Sequence, residues 1–385
     1  MSPAPPVSLS DLGWDAFFAA QPAPEAAPSA VPARVLLESK LKYRIWIAAP
    51  SGSVGEQWAE VAGKLRHRAV GREDYPAVGD WVWVRRGAGD GSARIEGVLQ
   101  RKTILARKAA GETSETQVLA ANVDTAFLAT SLNRDLNPRR LERYLTIAQA
   151  GRVQPVVLLT KADLMEPTEG GDTEAESVKA PGIVTASEVE RVRMACPGVP
   201  IHVVSGVTGL GLDALRPYLA SGRTVALLGS SGVGKSTLIN RLLGADALAV
   251  REIREGDDRG RHTTTMRQML RLPGGALVID TPGMRELHLQ DEDAAALNGV
   301  FADIETLAPA CRFRDCRHDA EPGCAVRGAV EGGTLPAGHL ANFHKLRREV
   351  AHAVRREDKS LETRYNQGVK RIQVAFNKRK RQSDP

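Results

Sequence analysis

The chain has 385 residues, more than a single hydrophobic core usually holds, so two or three domains are expected. Apolar residues make up 42% and charged residues 25%, a balance typical of globular chains rather than disordered ones. No apolar run approaches the ~18 residues that a membrane helix needs, which argues against an integral membrane protein. The N-terminus carries Asp11 and Asp15 and no basic stretch, so it does not look like a secretory signal. We therefore expect a cytoplasmic protein that does not bind membranes.

The net charge is unevenly distributed along the chain. Basic side chains exceed acidic ones by 52 − 46 = +6, yet residues 345–385 alone hold 13 basic and 5 acidic side chains, a balance of +8. The remaining residues therefore carry 39 − 41 = −2. The basic tail over residues 357–385 indicates either a polyanionic partner or simply a solvated, frayed end.

The N-terminal third of the chain divides into two kinds of sequence. Residues 1–33 are rich in Pro and Ala and are predicted to be a disordered extension, with a short helix possible around Trp14. Residues 34–112 change to short alternating runs punctuated by Gly, Pro and Asp, which predicts a small five-stranded all-β barrel. Basic side chains are interleaved with these runs, a pattern that suits RNA but is equally expected of ordinary solvated charges.

Residues 113–292 alternate apolar strands with amphipathic helices, which is typical of a mostly parallel sheet covered on both faces. Residues 229–236 read GSSGVGKS between such a strand and a helix, the pattern of a phosphate-binding loop. Its backbone N–H groups and the helix N-terminus favour bound phosphate, while Lys235 is expected to reach the β- and γ-phosphates. The predicted nucleotide contacts of this loop are Gly229, Ser230, Ser231, Gly232, Val233, Gly234, Lys235, Ser236 and Thr237.

A second strand of this region ends in the residues DTPG and predicts the magnesium side of the site. Asp280 is expected to hold Mg²⁺ together with Ser236, and Gly283 to offer its N–H to the γ-phosphate. The intervening segment GRHTTT over residues 260–265 is interpreted as a switch loop that closes over Mg²⁺. Thr264 is the predicted Mg²⁺ ligand there, although the spacing does not distinguish it from its neighbours.

Two further loops predict which base is bound. Thr160 to Asp163 read TKAD after an apolar strand, and a carboxylate accepts both donors on the guanine edge, so Asp163 is predicted to bind guanine with Lys161 packed beside it. Ser205 and Gly206 follow the next strand and resemble a companion loop that contacts the guanine oxygen. Together the loops favour GTP over ATP. They precede the phosphate loop, the reverse of the usual order, and a circular permutation accounts for this because new termini are tolerated at the surface.

A cluster of soft ligands follows the α/β region. Cys311, Cys316, His318 and Cys324 lie within 14 residues, and three thiols with one imidazole predict a closed, structural Zn²⁺ site. An iron–sulfur centre is the alternative metal site, and is disfavoured because histidine ligands are rarer there. Residues 293–356 are expected to form this zinc-binding domain and to include a helix from about residue 337.

The permuted loops, the GRHTTT and DTPG segments, the preceding barrel and the trailing Cys/His cluster together resemble the RsgA (YjeQ) family of small ribosomal subunit biogenesis GTPases. The resemblance covers about residues 34–350. It implies a multidomain chain with an N-terminal OB-fold barrel, a circularly permuted α/β P-loop GTPase domain and a small C-terminal zinc-binding α domain. It also implies GTP hydrolysis stimulated by the small (30S) ribosomal subunit, with contacts to its rRNA. We expect a monomer.

The residue that orients the attacking water is not evident from these motifs. Many GTPases place Gln after DxxG, but this chain has Met284, which cannot hydrogen-bond strongly. His262 of the switch segment is the predicted catalytic residue, although a packing or ribosome-contacting role is equally compatible with its position. Two other functions remain open: an rRNA-binding assembly checkpoint with negligible catalysis, and a permuted GTPase of the YlqF type acting on the large subunit.

Overall fold

Five strands at the start of the chain close into a barrel. The computed structural model describes residues 7–39, 41–49, 52–87, 91–108, 116–132, 136–164, 186–244, 267–281 and 293–354. The barrel strands are β1 (Val31–Ser39), β2 (Lys42–Ala48), β3 (Val54–Val61), β4 (Trp81–Arg85) and β5 (Ala93–Val98). They pair in the order β1-β2-β3-β5-β4, and β4 returns to pair with β1. Only β3 and β5 are parallel, and a short helix, α2 (Gly63–Arg68), separates β3 from β4. This is the OB-fold barrel that the family resemblance implies.

The barrel interior follows from the alternation of its strands. In β2, Tyr43 and Ile45 are fully buried, whereas Arg44 between them is only half-buried. Aliphatic side chains from the other strands complete the interior, among them Val35, Val61 and Val84.

The N-terminal residues differ from the disordered extension that their composition predicts. Residues 10–12 form a 3₁₀ turn and α1 (Ala16–Ala19) follows, with Phe18 only 2% exposed. Trp14 packs edge-on against Trp81, their ring centroids 4.7 Å apart. The prediction was therefore wrong for residues 7–33, because these aromatic side chains bury enough apolar area on the barrel to offset the entropy of ordering the segment. Residues 1–6 lie outside the described residues.

A mostly parallel sheet follows the barrel. Its strands are β8 (Thr125–Ser131), β9 (Gln154–Thr160), β10 (Ile201–Val203), β11 (Thr224–Gly229), β12 (Gln268–Arg271) and β13 (Leu277–Asp280). The order is β10-β9-β8-β11-β13-β12, and β12 alone runs antiparallel to its sheet neighbour β13. All seven residues of β8 are buried, as expected for a strand covered on both faces. A separate pair, β6 (Ile104–Lys108) and β7 (Thr116–Ala121), lies between the barrel strands and β8 in the chain.

The described residues of this region include the α-helices α3 (Pro138–Ala150), α4 (Ala186–Ala195) and α5 (Lys235–Leu243). The Asn137 side chain caps α3 by accepting a hydrogen bond from the backbone N–H of Arg140. Residues 212–218 form a 3₁₀ helix rather than an α-helix. Pro217 lies inside that segment and lacks the N–H that an α-helical turn needs, which accounts for the difference.

The chain forms two compact units. The first comprises Met1–Arg107 and Thr116–Leu287 and contains both the barrel and the α/β sheet. The second comprises Lys108–Glu115 and His288–Pro385. Its described helices are α6 (Ala294–Val300), α7 (Ala302–Leu307), α8 (Ala325–Glu331) and α9 over residues 337–354. None of the helices in the described ranges has both the length and the apolar character that crossing a membrane requires.

Candidate nucleotide site and metal centre

The phosphate loop connects β11 directly to α5. Gly229 is the last residue of β11 and Lys235 the first of α5. Gly232 and Gly234 have φ angles of 78° and 99°, a region in which side chains with a Cβ are strained. Glycine at these two positions therefore lets the loop turn tightly between β11 and α5. Ser236 and Thr237 follow on the first turn of the helix, with exposed side chains.

The Lys235 ammonium lies at the mouth of this loop. Its Nζ donates to the carbonyl oxygens of Gly229, at 2.8 Å, and Ser230, at 2.9 Å. Burial lowers the pKa of Lys235 below its ordinary value, while the charge of Asp280 opposes that shift. The ammonium is thus held by two carbonyl groups at the position where a phosphate loop binds anionic oxygens.

Asp280 reaches the same edge of the sheet from the neighbouring strand. It ends β13, pairs in parallel register with Leu227 of β11, and is buried. Burial raises the pKa of this carboxyl, and Lys235 partly counteracts the shift. The next residue, Thr281, donates its hydroxyl to the Leu227 carbonyl and ties the end of β13 to the phosphate-loop strand. A carboxylate and a lysine therefore face each other across adjacent strand ends.

Thr160 links the predicted base-binding loop to the phosphate loop. Its hydroxyl donates to the carbonyl of Val233, at 2.6 Å, although the two residues are 73 positions apart. The same hydroxyl also lies 3.3 Å from the carbonyl of Thr130 at the end of β8. The ends of β8 and β9 thus meet the phosphate loop at this hydroxyl, and the TKAD loop abuts the phosphate loop directly.

The second predicted base-binding loop contacts the first. Ser205 donates its hydroxyl to the Asp163 carboxylate, and the backbone N–H of Ala162 donates to the Val204 carbonyl at 3.1 Å. Gly206 lies against α5, since a Cβ at this position would come within 3.0 Å of the Leu238 nitrogen. A residue with a Cβ at this position would require the backbone of α5 to shift by a few tenths of an ångström. Lys161 adopts a left-handed φ of 61° between Thr160 and the carboxylate.

The loops thus converge at the carboxyl edge of one parallel sheet, although two of them come before the phosphate loop in the chain. Strand order β9-β8-β11-β13 places all four strand ends side by side. A phosphate loop, an adjacent aspartate and a TKAD loop in this permuted order define a circularly permuted P-loop GTPase.

Comparisons with known proteins agree with this class. The RsgA GTPase family profile matches residues 98–290. A protein of Opitutus terrae named small ribosomal subunit biogenesis GTPase RsgA is 46% identical over 92% of this chain and 93% of its own. Two solved structures share the fold. One is YjeQ from Thermotoga maritima, with a TM-score of 0.55, 23% identity and coverage of 84% of this chain and 99% of its own. The other is YloQ, described as a circularly permuted GTPase, with a TM-score of 0.54, 20% identity and coverage of 86% and 98%. This chain belongs to the RsgA family and is a GTP-hydrolysing enzyme.

The second unit contains the Cys/His cluster. The ligand atoms of Cys311, Cys316, His318 and Cys324 all lie within 4.8 Å of one another. His318 Nδ1 is 3.6 Å from the sulfur of Cys311 and 3.4 Å from that of Cys324, and those two sulfurs are 3.9 Å apart. With Zn–S and Zn–N bonds of ~2.3 and ~2.0 Å, tetrahedral geometry requires S···S and S···N separations of about 3.8 and 3.5 Å. The donor set and its spacing therefore fit one tetrahedral Zn²⁺.

Glu321 organises the loop between these ligands, a role that sequence patterns did not reveal. Its carboxylate accepts from the backbone N–H groups of Arg317 and Asp319, each at 2.9 Å, and of Ala320 at 3.1 Å. These bonds, that from Arg317 first, lower the pKa of Glu321 to about 2. The signal available in the sequence was a single acidic residue in a turn, which is too common to be distinctive.

Some predicted residues cannot be placed. His262, Thr264 and Gly283 lie outside the described residues. Cys196, the cysteine remote from the cluster, is buried in unit 1, where burial raises the pKa of its thiol to about 12. That environment suits a small apolar residue rather than a reactive thiol.

Proposed function

We propose that this GTPase acts in the late assembly of the small (30S) ribosomal subunit and that the subunit accelerates its GTP hydrolysis. The nucleotide-binding part of this proposal rests on the contact between Thr160 and Val233, because that contact joins the predicted base-binding loop to the phosphate loop. The ribosomal part is supported by the Opitutus terrae relative, which is named a small ribosomal subunit biogenesis GTPase and aligns along almost the whole chain.

In this proposal the two base-binding loops read guanine together. The Asp163 carboxylate accepts the two donors of the guanine edge, and Lys161 packs beside the ring. Ser205 orients that carboxylate, since its hydroxyl donates to Asp163 and accepts from the backbone N–H groups of Val207 and Thr208 at 3.2 and 3.1 Å. An oriented carboxylate loses less conformational entropy on binding than a free one.

The phosphates and Mg²⁺ are assigned to the carboxyl ends of β11 and β13 and the start of α5. Lys235 exchanges its two carbonyl acceptors for the β- and γ-phosphate oxygens, while Ser236 and Asp280 hold Mg²⁺, which supplies charge neutralisation when bound. Thr264 completes that set and Gly283 contacts the γ-phosphate. His262 orients the attacking water, since Met284 offers no strong hydrogen bond.

Binding to rRNA is proposed for the barrel, the zinc-binding unit and the basic tail. The last turn of α2 presents Arg66, His67 and Arg68 to solvent. Contacts between such side chains and phosphates release counterions, so binding is expected to weaken steeply with salt. One Zn²⁺ has a structural role in the second unit, and the protein acts as a cytoplasmic monomer.

The deciding experiment measures GTP turnover alone, with purified 30S subunits and with 50S subunits as the control. We expect stimulation by 30S subunits only, and co-sedimentation with 30S subunits that is stronger with a non-hydrolysable GTP analogue than with GDP. Equal turnover in all three conditions would favour the checkpoint function, and stimulation by 50S subunits would favour the large-subunit function.

The catalytic role of His262 is tested in the same assay. His262→Ala should reduce 30S-stimulated turnover while GTP affinity stays unchanged, and His352→Ala, which alters an exposed histidine of α9, serves as the control. Full stimulated turnover of the His262→Ala protein would remove His262 from the mechanism without affecting the remainder of the proposal.

A further inference from the structure

A second concave site lies in unit 1 at the edge of the sheet opposite the phosphate loop. It is a cleft of about 500 Å³. Gln154 and Thr224, the first residues of β9 and β11, line it, as do Trp14 and Phe18 of the N-terminal segment and Arg34 of β1. Because β9 and β11 are parallel, their amino ends are separated from the nucleotide site by the length of the strands. The volume falls in the range of small-molecule sites.

Arg34 brings to this cleft a positive charge that is not paired with a carboxylate. Its side chain is 1% exposed, and its guanidinium donates only to neutral acceptors. These are the carbonyls of Gly79 at 3.3 Å, Asn122 at 3.1 Å and Leu12, and the Thr224 hydroxyl at 2.8 Å. Among the residues that the structure describes, no carboxylate forms an ion pair with it. Asp124 and Asp80 act on Arg34 only through longer-range charge, which opposes the lowering of its pKa by burial. A buried guanidinium without a hydrogen-bonded counter-charge favours an anion nearby.

The other charges of the cleft do not cancel this one. Lys102 pairs with Asp15, and Arg223 pairs with Asp124 at 2.9 Å, so both lining carboxylates are already neutralised. Arg152 is exposed at the rim and has no ion-pair partner in the described part of the chain. The cleft therefore carries two excess positive charges, those of Arg34 and Arg152.

The walls of the cleft add two features typical of ligand sites. Trp14 and Phe18 lie with ring centroids 5.8 Å apart and planes inclined by 25°, and Trp14 is only half-buried. Asn122 and Arg152, both lining residues, adopt left-handed φ angles of 53° and 58°. Such a conformation is costly for Arg, whereas Asn adopts it more readily, and strained backbone of this kind is enriched at functional sites.

We propose that this cleft binds a small organic anion that carries a flat ring, of the chemical class of the nucleoside monophosphates. The excess charge attracts the phosphate, and the exposed part of the Trp14 indole receives the ring. The cleft is distinct from the GTP site, and the inference does not depend on a ribosomal role.

The probe is adenosine 5′-monophosphate, titrated into the full-length protein by calorimetry with GDP and Mg²⁺ at saturation. GDP keeps the phosphate loop filled, and this probe lacks both a β-phosphate for Lys235 and the guanine edge for Asp163. We expect saturable binding in the presence of GDP. Arg152→Gln should weaken it by about tenfold, as expected for the loss of a charged hydrogen-bond partner.

Two controls make the result specific. Arg191→Gln removes an exposed arginine of α4 and should leave the affinity unchanged. Inorganic phosphate, which lacks a ring, should bind much more weakly than the nucleotide. Because Arg152 is exposed, its replacement removes no buried packing, and an unchanged thermal transition verifies folding.

Three results would overturn the proposal: no binding of the monophosphate at millimolar concentration, its displacement by GDP, or equal affinity in the Arg152→Gln and Arg191→Gln proteins. None of them would affect the GTP site, which is tested by turnover.

Discussion

The Asp163 carboxylate shows how much of the proposed specificity depends on single atoms. Its partner Ser205 lies 42 positions further along the chain, yet the two side chains share a hydrogen bond. The serine contributes a donor, so the carboxylate is restrained before the base arrives. Recognition of guanine by Asp163 therefore depends on which groups of the base and of the side chain donate hydrogen bonds and which accept them.

Asp163→Asn should weaken GTP binding by about 100-fold, because two charge-assisted hydrogen bonds are replaced by an amide that cannot accept both guanine donors. Xanthosine triphosphate, which presents one donor and one acceptor on that edge, should bind the variant better than GTP does. Titration with fluorescent nucleotides measures both affinities.

The control is Asp213→Asn, an exposed aspartate that pairs only with Arg216 on the surface. It should leave both affinities unchanged. If the Asp163→Asn protein binds GTP as tightly as the wild type, Asp163 does not read the base.

Strands and loops of this protein are joined by polar contacts that their local sequences do not predict. Arg34 of β1 reaches the first residue of β11, so the strand that carries the phosphate loop is tied to the barrel at its amino end. In the second unit, the Glu321 carboxylate holds the turn between the candidate zinc ligands by accepting from backbone N–H groups. One side chain thus satisfies several backbone groups in both cases, from different segments for Arg34 and within a single turn for Glu321.

Arg34→Met should destabilise unit 1 by about 3 kcal/mol or more, because it leaves buried carbonyl groups without donors. Urea unfolding followed by tryptophan emission measures this loss. All five tryptophans of the chain, at positions 14, 46, 58, 81 and 83, lie in unit 1 and report on it alone.

Arg191→Met is the matched control, since Arg191 is exposed on α4 of the same unit. It should shift the urea midpoint by much less. Equal midpoints for the two variants would mean that the Arg34 contacts contribute little.

Glu321→Gln should weaken zinc binding by about tenfold, because a neutral amide holds the N–H groups of the ligand loop less strongly. Competition with a chromogenic chelator measures the affinity, and Glu331→Gln on α8 is the control.

Because the pKa of Glu321 is about 2, this carboxylate stays ionised during mild acidification. Metal release at mildly acidic pH should therefore follow protonation of the zinc ligands in both the wild-type and control proteins.

The whole molecule consists of two units that are stabilised by different means. Unit 1 has large apolar cores in the barrel and beneath the sheet. The ligand loop of unit 2 has short helices on either side and is expected to depend on its metal for stability. The two units should therefore respond separately to metal removal.

Removing zinc with a strong chelator should reduce the helical circular dichroism of unit 2 and leave tryptophan emission, which reports unit 1, unchanged. Readdition of Zn²⁺ should restore the signal. A chelator-induced shift in tryptophan emission would contradict independent stabilisation of the units.

The sequence by itself determined the fold classes, the family and the placement of the motifs on strand ends. Local signals suffice for these: GSSGVGKS and TKAD need only their own glycines and side chains, and the Cys/His spacing is compact. Tertiary structure alone decided that residues 7–33 are ordered, that Ser205 restrains Asp163, that Glu321 supports the ligand loop, and that Arg34 joins barrel to sheet above a second cleft. Each of these features depends on contacts between residues distant in the chain, or on a single residue of a common type in a turn. Neither kind of feature produces a periodic or local sequence pattern that would predict it.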